Sequence, residues 1–278
     1  MSIITISRGD KSGGIALAGE LAKRLGYTCL SREILVEGAR KYNIEEEVLR
    51  AELSEVPSMW QRLTRQRHRY LVFVKSALLH AATQDNLIYH GHAGQIFLEG
   101  ISHVLKVRLE APLEQRIGAV MAELGLDHDK AVEYIRHVDD KRRRWVRFLY
   151  DKEWSDPALY DLTLNLAGMS LETACDIVCH AVAHPDFTPT EASLQRVRDL
   201  SLECEVLAGL VSDDKLWDQR LVVSAKAGVV LVRGTVKNQE QKQLVEETVS
   251  RVKGVQRYEI YLNLLSDPMS RGGVPAGD

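Results

Sequence analysis

The first strand and helix of this chain are encoded in the sequence SIITISRGDKSGGIALAGELAKRLG, residues 2–26. β-Branched residues dominate its beginning and predict a strand at 2–7. The polar, glycine-rich segment 8–14 cannot continue that strand, and apolar residues then recur at helical spacing until Gly26 ends the helix. A strand, a glycine-rich turn and a helix form a phosphate-binding arrangement, because the N–H groups of the turn converge and the helix N-terminus is partially positive.

The glycines of this turn have the spacing of a Walker A motif, but the residues that follow them do not fit it. Gly9 and Gly14 match the two glycines of G-x-x-x-x-G-K-[ST]. Ile15 stands at the lysine position and Ala16 at the serine or threonine position, so neither side chain can bind phosphate or magnesium. These residues by themselves leave two readings open, a phosphate-binding turn or a glycine-rich turn at the edge of an α/β sheet.

The length and the net charge of the chain limit the classes of protein to which it can belong. A chain of 278 residues can hold one sizeable α/β domain and a smaller second one. The net charge of -3 argues against a nucleic-acid binder that relies on phosphate contacts. No apolar stretch is long enough to span a bilayer, and the N-terminus lacks the pattern of a secretory signal. We therefore expect a cytoplasmic protein and do not expect a membrane partner.

Strands and helices alternate along the first two thirds of the chain, which predicts a parallel sheet with right-handed crossovers. After the first strand, further strands are predicted at 27–30, 86–90, 103–109 and 161–166. Ligands should bind at the carboxyl ends of these strands, where the turns after Ile6 and His90 lie.

Four residues of metal-binding types, two cysteines and two histidines, occur close together near the end of this part, at Cys175, Cys179, His180 and His184. Residues four apart share a helix face, so a metal site is conceivable there. The two cysteines lie among apolar residues, which favours small buried groups instead. We predict no metal site from these residues.

A linker and a change of pattern divide the chain. The segment 184–194 contains two prolines and predicts a domain boundary after a first domain at 1–183. Beyond it, a helix, two strands joined at Gly228, a helix and a strand predict a compact α+β unit of order α-β-β-α-β at 195–265. The glycine- and proline-rich tail 266–278 is predicted to be disordered.

Residues 1 to about 182 resemble the cytidylate kinase-like family of P-loop nucleoside monophosphate kinases. The resemblance is carried, in the expected order along the chain, by residues 4–14, 31–35, 91–94, 107–116 and 160–165. It implies an α/β fold with a P-loop kinase-type parallel sheet flanked by helices, an insertion that binds the acceptor nucleotide, and a mobile arginine lid. It also implies ATP and Mg²⁺ as cofactors and a nucleotide as partner.

The resemblance also assigns candidate site residues. The nucleotide-binding turn would comprise Gly9, Asp10, Lys11, Ser12, Gly13 and Gly14. Arg32 and His92 would bind the acceptor. Independently of the resemblance, Lys11 lies inside the turn and could supply charge for catalysis, or it could be a solvated turn lysine. The lid arginines Arg143, Arg144 and Arg147 could also supply charge. Arg143 and Arg147 are four residues apart and can face one ligand, although each arginine can instead pair with Asp139, Asp140 or Asp151.

Three departures from the family pattern bear on activity. Ile15 replaces an arginine or lysine, Ser31 replaces an aspartate and His92 replaces an arginine. Phosphoryl transfer depends on positioned positive charge, so such losses should lower the rate by orders of magnitude. Two hypotheses follow. The chain is either an ATP-dependent kinase of a pyrimidine nucleoside monophosphate, or a degenerate kinase fold that serves as a nucleotide sensor or scaffold.

Residues of about 195 to 265 resemble a BON domain. The resemblance rests on residues 227–236 and 252–255. It implies contact with phospholipid or membrane, or docking to a protein. Docking, through a protein partner or through self-association, is favoured because the unit has no dense basic patch to meet anionic lipid. We also predict that this unit folds independently. The predicted sheet has a strongly apolar hairpin and a helix that can cover only one of its faces, which agrees with a surface open to a partner.

Overall fold

The structure is a computed structural model that describes residues 2–31, 60–91 and 93–265. Predictions that concern residues 32–59, position 92 and the tail 266–278, including its disorder, lie outside the described residues. Within the described part, the chain forms a larger parallel sheet with helices on both faces and a smaller sheet of mixed direction.

The larger sheet confirms the predicted parallel architecture. Its strands run in the order β2-β3-β1-β4-β5, and each neighbouring pair is parallel. β1 is the central strand, so the turn that follows it opens at the carboxyl edge between β3 and β4. The strands are β1 (Ile3–Arg8), β2 (Thr28–Ser31), β3 (Leu87–His90), β4 (Val104–Glu110) and β5 (Leu162–Asn165).

Helices complete the first domain. Ser170 caps α6 as predicted, because its hydroxyl accepts a hydrogen bond from the Thr173 N–H at 3.0 Å. In the described part of the chain, no helix combines the length and the apolar character needed to cross a membrane. The helices are α1 (Gly14–Leu25), α2 (Trp60–Ala82), α3 (Gly94–Phe97), α4 (Leu113–Leu124), α5 (His128–Tyr150) and α6 (Leu171–Val182).

Alternate residues of β1 face two separate cores, because successive side chains of a strand point to opposite faces of the sheet. Ile3 packs on the side of α2 and α3, in a cluster that contains Leu78. Ile4 and Ile6 pack on the side of α1 and α6, in a cluster that contains Leu17. β1 is therefore covered on both faces, as expected of a central strand in a parallel sheet.

The C-terminal unit has the predicted order of elements. β6 and β7 are antiparallel and joined by Ala227 and Gly228, whose φ angles of 48° and 80° give the left-handed pair of a tight hairpin. β8 then pairs with β7 in parallel. Its elements are α7 (Glu191–Ser212), β6 (Arg220–Lys226), β7 (Val229–Val236), α8 (Gln239–Arg251) and β8 (Arg257–Leu264).

Helix α7 packs against both parts of the molecule. Val197 and Leu200 are buried in the cluster formed with α2 and the larger sheet. Val206 and Leu210 are buried in the cluster beneath the smaller sheet. The predicted boundaries, 1–183, 184–194 and 195–265, stay predictions, and α7 begins inside the segment predicted as a linker.

Candidate functional site

The turn between β1 and α1 has a backbone suited to binding an anion. Lys11 and Gly13 are both left-handed, with φ angles of 55° and 80°. Left-handed residues at alternate positions orient successive N–H groups toward one side of a turn. Gly13 is the N-cap of α1 and no side chain caps this end, so the partially positive helix N-terminus faces the turn.

Neighbouring side chains leave too little space for a Cβ atom at two glycines of the turn, Gly9 and Gly14. A Cβ at Gly9 would come within 2.9 Å of the Ser12 hydroxyl and 3.1 Å of the Arg116 guanidinium carbon. A Cβ at Gly14 would come within 2.0 Å of Cδ of Arg8. The predicted glycines therefore admit arginine side chains to the turn.

Two arginines from helices α4 and α5 converge on Asp10. Arg116 donates from Nε to the Asp10 carbonyl and from Nη2 to Asp139, both at 2.6 Å. Arg142 donates to the Asp10 carboxylate at 3.1 Å and to the Arg8 carbonyl at 3.2 Å. All four charged side chains are between 12% and 18% exposed, so these ion pairs are largely shielded from solvent.

The cations predicted from the sequence, Lys11 and the lid arginines, make other contacts than Arg116 and Arg142 do. Lys11 pairs with Glu123 of α4 at 2.5 Å. Arg143 lies 3.4 Å from Asp140 and 3.9 Å from Glu153, on the exposed side of α5. Arg144 also pairs with Asp140, and Arg147 is exposed. The structure thus brings the residues of the turn together, whereas Arg143 and Arg144 pair with Asp140, and the role of the lid arginines stays a prediction.

The two positions that depart from the Walker pattern are exposed and apolar. Ile15 is 62% exposed at the first turn of α1, and Ala16 beside it is exposed as well. Ala16 offers no ligand to magnesium, so the donor set does not fit the usual protein-bound metal. Two buried polar atoms of the turn, Ser12 Oγ and Asp10 Oδ2, have no hydrogen-bond partner, which marks the turn as a place that can accept a polar ligand.

A cleft of about 820 Å³ has Asp139, the partner of Arg116, in its wall. It lies between α4 and α5, and Asp139 and Arg143 contribute to its wall. Leu113, Leu126 and Tyr134 add apolar and aromatic surface. The cleft therefore combines charged side chains with an apolar and aromatic surface that can pack against a flat ring.

Another arginine, Arg108, lies among aromatic side chains at the carboxyl ends of β1 and β4. The Arg108 guanidinium lies 4.8 Å from the ring centre of Trp154 and 5.5 Å from that of Tyr160, and it pairs with Glu110 at 2.7 Å. Trp154 donates from Nε1 to the Ser7 hydroxyl at 2.8 Å. Burial raises the pKa of the Tyr160 hydroxyl, which keeps it a neutral donor at neutral pH.

The predicted acceptor residues, Arg32 and His92, lie outside the described residues. The described part of the turn after β3 shows why its glycines are needed. A Cβ at Gly91 would come within 2.5 Å of the Tyr89 hydroxyl, and one at Gly94 within 2.4 Å of the Tyr89 ring. The motif at 91–94 therefore accommodates a buried tyrosine, whatever else it binds.

The cysteines of α6 are built into the core. Cys175 is fully buried, and burial together with the neighbouring Cys179 thiol raises the pKa of the Cys175 thiol to about 11. With this pKa, the Cys175 thiol is protonated at neutral pH. Among residues 2–31, 60–91 and 93–265, no three or more His, Cys, Asp or Glu side chains are grouped to hold a metal ion.

Comparison with known proteins connects this geometry to a family. A sequence model described as the cytidylate kinase-like family matches residues 3–167, which is more than half of the chain. The chain belongs to this family. A second model, described as the BON domain, matches residues 198–257. The two matches agree with the two resemblances identified from the sequence.

Individual relatives support membership of the cytidylate kinase-like family. The chain is 27% identical to a cytidylate kinase of Ignicoccus hospitalis, over 64% of this chain and 97% of that protein. It is 24% identical to a cytidylate kinase of Haloarcula marismortui, over 70% of this chain and 98% of the other. A crystal structure of an uncharacterized protein from Eubacterium ventriosum has the same fold, with a TM-score of 0.53, 18% identity, and coverage of 66% and 98%. These matches confirm the P-loop kinase-type fold of this family member.

Arg116, Arg142 and Asp139, which make the contacts at the turn, are not among the site residues predicted from the sequence. One signal for the last two was present. Ile135, Asp139, Arg142 and Val146 are spaced by three or four residues, and both apolar members are buried. That spacing places Asp139 and Arg142 on the inner side of α5, whereas Arg143, about 100° further round the helix than Arg142, lies toward the flank.

Proposed function

We propose that this member of the cytidylate kinase-like family binds ATP on the turn at 9–14 and transfers a phosphoryl group to a pyrimidine nucleoside monophosphate. The observation that carries the proposal is the convergence of Arg116 and Arg142 on Asp10 beside an anion-binding backbone. The family and the names of the two archaeal relatives support the choice of reaction and of acceptor class.

In this proposal, the arginines replace the charge missing at Ile15. Phosphoryl transfer relies almost wholly on positioning and on positive charge around the transferred group. Arginine binds phosphate through two parallel N–H groups, so Arg116 and Arg142 can serve where lysine is usual. The turn at 9–14 would supply backbone N–H groups, and Lys11, Arg143 and Arg147 remain proposed additional cations. The cleft between α4 and α5 would receive the nucleoside.

In this proposal, Mg²⁺ binds together with the nucleotide. Because Ala16 cannot ligate it, Mg²⁺ would be held by phosphate oxygens and water, and it would neutralise phosphate charge when bound. The acceptor would contact Arg32 and His92. The proposal places the protein in the cytoplasm, where nucleotides are available, and assigns the BON unit a protein partner or a second copy.

The test is a coupled kinase assay on the full chain with ATP, Mg²⁺ and each common nucleoside monophosphate. We expect turnover with CMP or UMP that falls at least about tenfold in Arg142→Gln, since a charge-assisted contact to phosphate is lost. Arg198→Gln is the matched control, because Arg198 is an exposed arginine on α7 that pairs with Glu191. Equal turnover of both variants would contradict the role of Arg142, and no turnover of the wild type would contradict the reaction.

A second candidate function is a nucleotide sensor without turnover, which the residues Ile15 and Ala16 favour. Their exposed apolar side chains remove two contacts that bind the transferred phosphoryl group and its metal elsewhere. Calorimetry with ATP and CMP, with and without Mg²⁺, distinguishes the two functions. Binding without product formation supports the sensor, and binding with turnover supports the kinase.

A further inference from the structure

The cations at the phosphate-binding turn are already engaged by carboxylates of the same chain. Each carboxylate comes from the turn itself or from one of the two helices, α4 and α5, that flank it. The positive charges at the turn are therefore neutralised by carboxylates of the same chain. The pairs are Lys11 with Glu123 at 2.5 Å, Arg116 with Asp139 at 2.6 Å, and Arg142 with Asp10 at 3.1 Å.

Asp139 is the carboxylate placed most like a ligand. Its Oδ1 accepts the backbone N–H of Asp10 at 3.3 Å, and its Oδ2 accepts Nη2 of Arg116 at 2.6 Å. A backbone N–H of a turn and an arginine fork are the donors that a phosphate oxygen uses. The side chain is only 18% exposed, so the contact is shielded from competing water.

We propose that Asp139 competes with the nucleotide phosphates for the turn and must be displaced before they bind. This inference rests on the proposed nucleotide binding at the turn. In the ligand-free state, the Asp139 carboxylate fastens α5 to the turn. A bound phosphate takes over Arg116 and the Asp10 N–H, so the Asp139 contact opens while Arg142 of the same helix stays at the turn. The affinity of the wild type is lowered by the fraction of molecules in which the contact is closed.

The geometry also shows why removal of the Asp139 charge should leave Arg116 ready to bind. Nε of Arg116 donates to the Asp10 carbonyl at 2.6 Å, independently of Asp139. This second contact continues to orient the guanidinium when Nη2 is freed. Asn at position 139 preserves the size of the side chain and one acceptor oxygen, so the helix should keep its packing.

The test compares ATP affinity by calorimetry in the full-length wild type, Asp139→Asn and Asp129→Asn. Asp129 lies on the same helix, and its side chain is fully exposed, so its variant controls for the loss of one negative charge. We expect Asp139→Asn to bind ATP about fivefold or more tightly and Asp129→Asn to match the wild type within about twofold. Amide hydrogen exchange of Asp10 without nucleotide should become faster in Asp139→Asn, because a neutral acceptor holds this N–H less strongly than a carboxylate does. Thermal unfolding verifies that each variant is folded.

The outcomes separate this inference from the proposed function. If the wild type binds ATP and Asp139→Asn binds equally or more weakly, Asp139 is not a competitor and the inference is overturned. If Asp139→Asn alone binds ATP, the contact is inhibitory and the inference is supported in its strongest form. If neither protein binds any nucleotide, both the inference and the nucleotide-binding proposal are overturned.

Discussion

Lys11 is the residue at which the phosphate-binding turn carries backbone strain. Its φ angle of 55° is left-handed, a conformation that costs a residue with a side chain about 1 kcal/mol relative to glycine. The ion pair with Glu123 contributes at most about 1 kcal/mol to the free energy of unfolding, because both side chains are partly exposed. A strained residue at a site of this kind is consistent with a functional role for its side chain.

Replacement of Lys11 by glycine or alanine separates backbone strain from the ion pair. Both variants lose the contact with Glu123, but only Lys11→Gly relieves the left-handed backbone. We expect Lys11→Gly to have a free energy of unfolding about 1 kcal/mol higher than that of Lys11→Ala. Urea denaturation provides the measurement, and equal stability of the two variants would show that the turn is not strained at this position.

Helix α7 is the element that belongs to two cores. The side chain of Val197 is 1% exposed and packs with the larger sheet, whereas that of Val206 is 0% exposed and packs beneath the smaller one. Helix α7 cannot lose its contacts with one sheet and keep its contacts with the other without exposing apolar surface. The two parts of the chain should therefore be coupled in stability, even though each has its own sheet.

Matched truncations on α7 measure this coupling. Val197→Ala and Val206→Ala each remove two buried methyl groups and should lower the free energy of unfolding by about 1–3 kcal/mol. If α7 couples the sheets, each variant accelerates amide exchange in both β1 and β7. Acceleration confined to the sheet nearest the substitution would contradict coupling and favour two independent units.

At the scale of the whole molecule, polar contacts as well as apolar ones join the C-terminal unit to the first domain. His103 is fully buried before β4, and its Nδ1 lies 2.7 Å from the hydroxyl of Ser193 in the first turn of α7. Arg69 of α2 donates to the Ser212 carbonyl at 2.6 Å, at the other end of α7. The docking role of the unit and its independent folding stay predictions, and these contacts are what its removal would break.

Burial of His103 predicts a dependence of stability on pH. Burial is the main cause that lowers the pKa of this imidazole below 6.5, although the carboxylate of Asp85 acts in the opposite direction. The folded state therefore binds fewer protons than the unfolded state as the pH falls below 6.5. We expect the stability contributed by neutral His103 to be present above this pH and to be lost progressively below it.

Urea denaturation between pH 7.5 and about 5 tests the role of His103. His103→Gln should reduce the fall in the free energy of unfolding, because glutamine keeps a polar group near Ser193 without a titrating proton. His180→Gln is the control, since His180 is exposed on α6. An unchanged pH dependence in His103→Gln would show that other groups cause the loss of stability.

The sequence predicted most of the fold because the relevant signals are local. The pattern at 2–26 gave the strand, the turn and the helix within one residue of their observed bounds. Gly228 marked the hairpin and Ser170 the start of α6, since turns and caps depend on neighbours a few residues away. The alternation of strands and helices then sufficed for a parallel sheet, because few topologies are compatible with it.

The sequence by itself determined the family, the order of elements and the position of the glycine-rich turn between β1 and α1. Only the tertiary structure decided which charges meet there. Arg116 and Arg142 lie 106 and 132 residues along the chain from Asp10, so their contacts depend on how α4 and α5 pack over the sheet. A run of adjacent arginines cannot show from its composition which member faces inward, because one residue along a helix rotates the side chain by about 100°. That rotation places Arg142 at the turn and the half-exposed Arg143 beside Asp140.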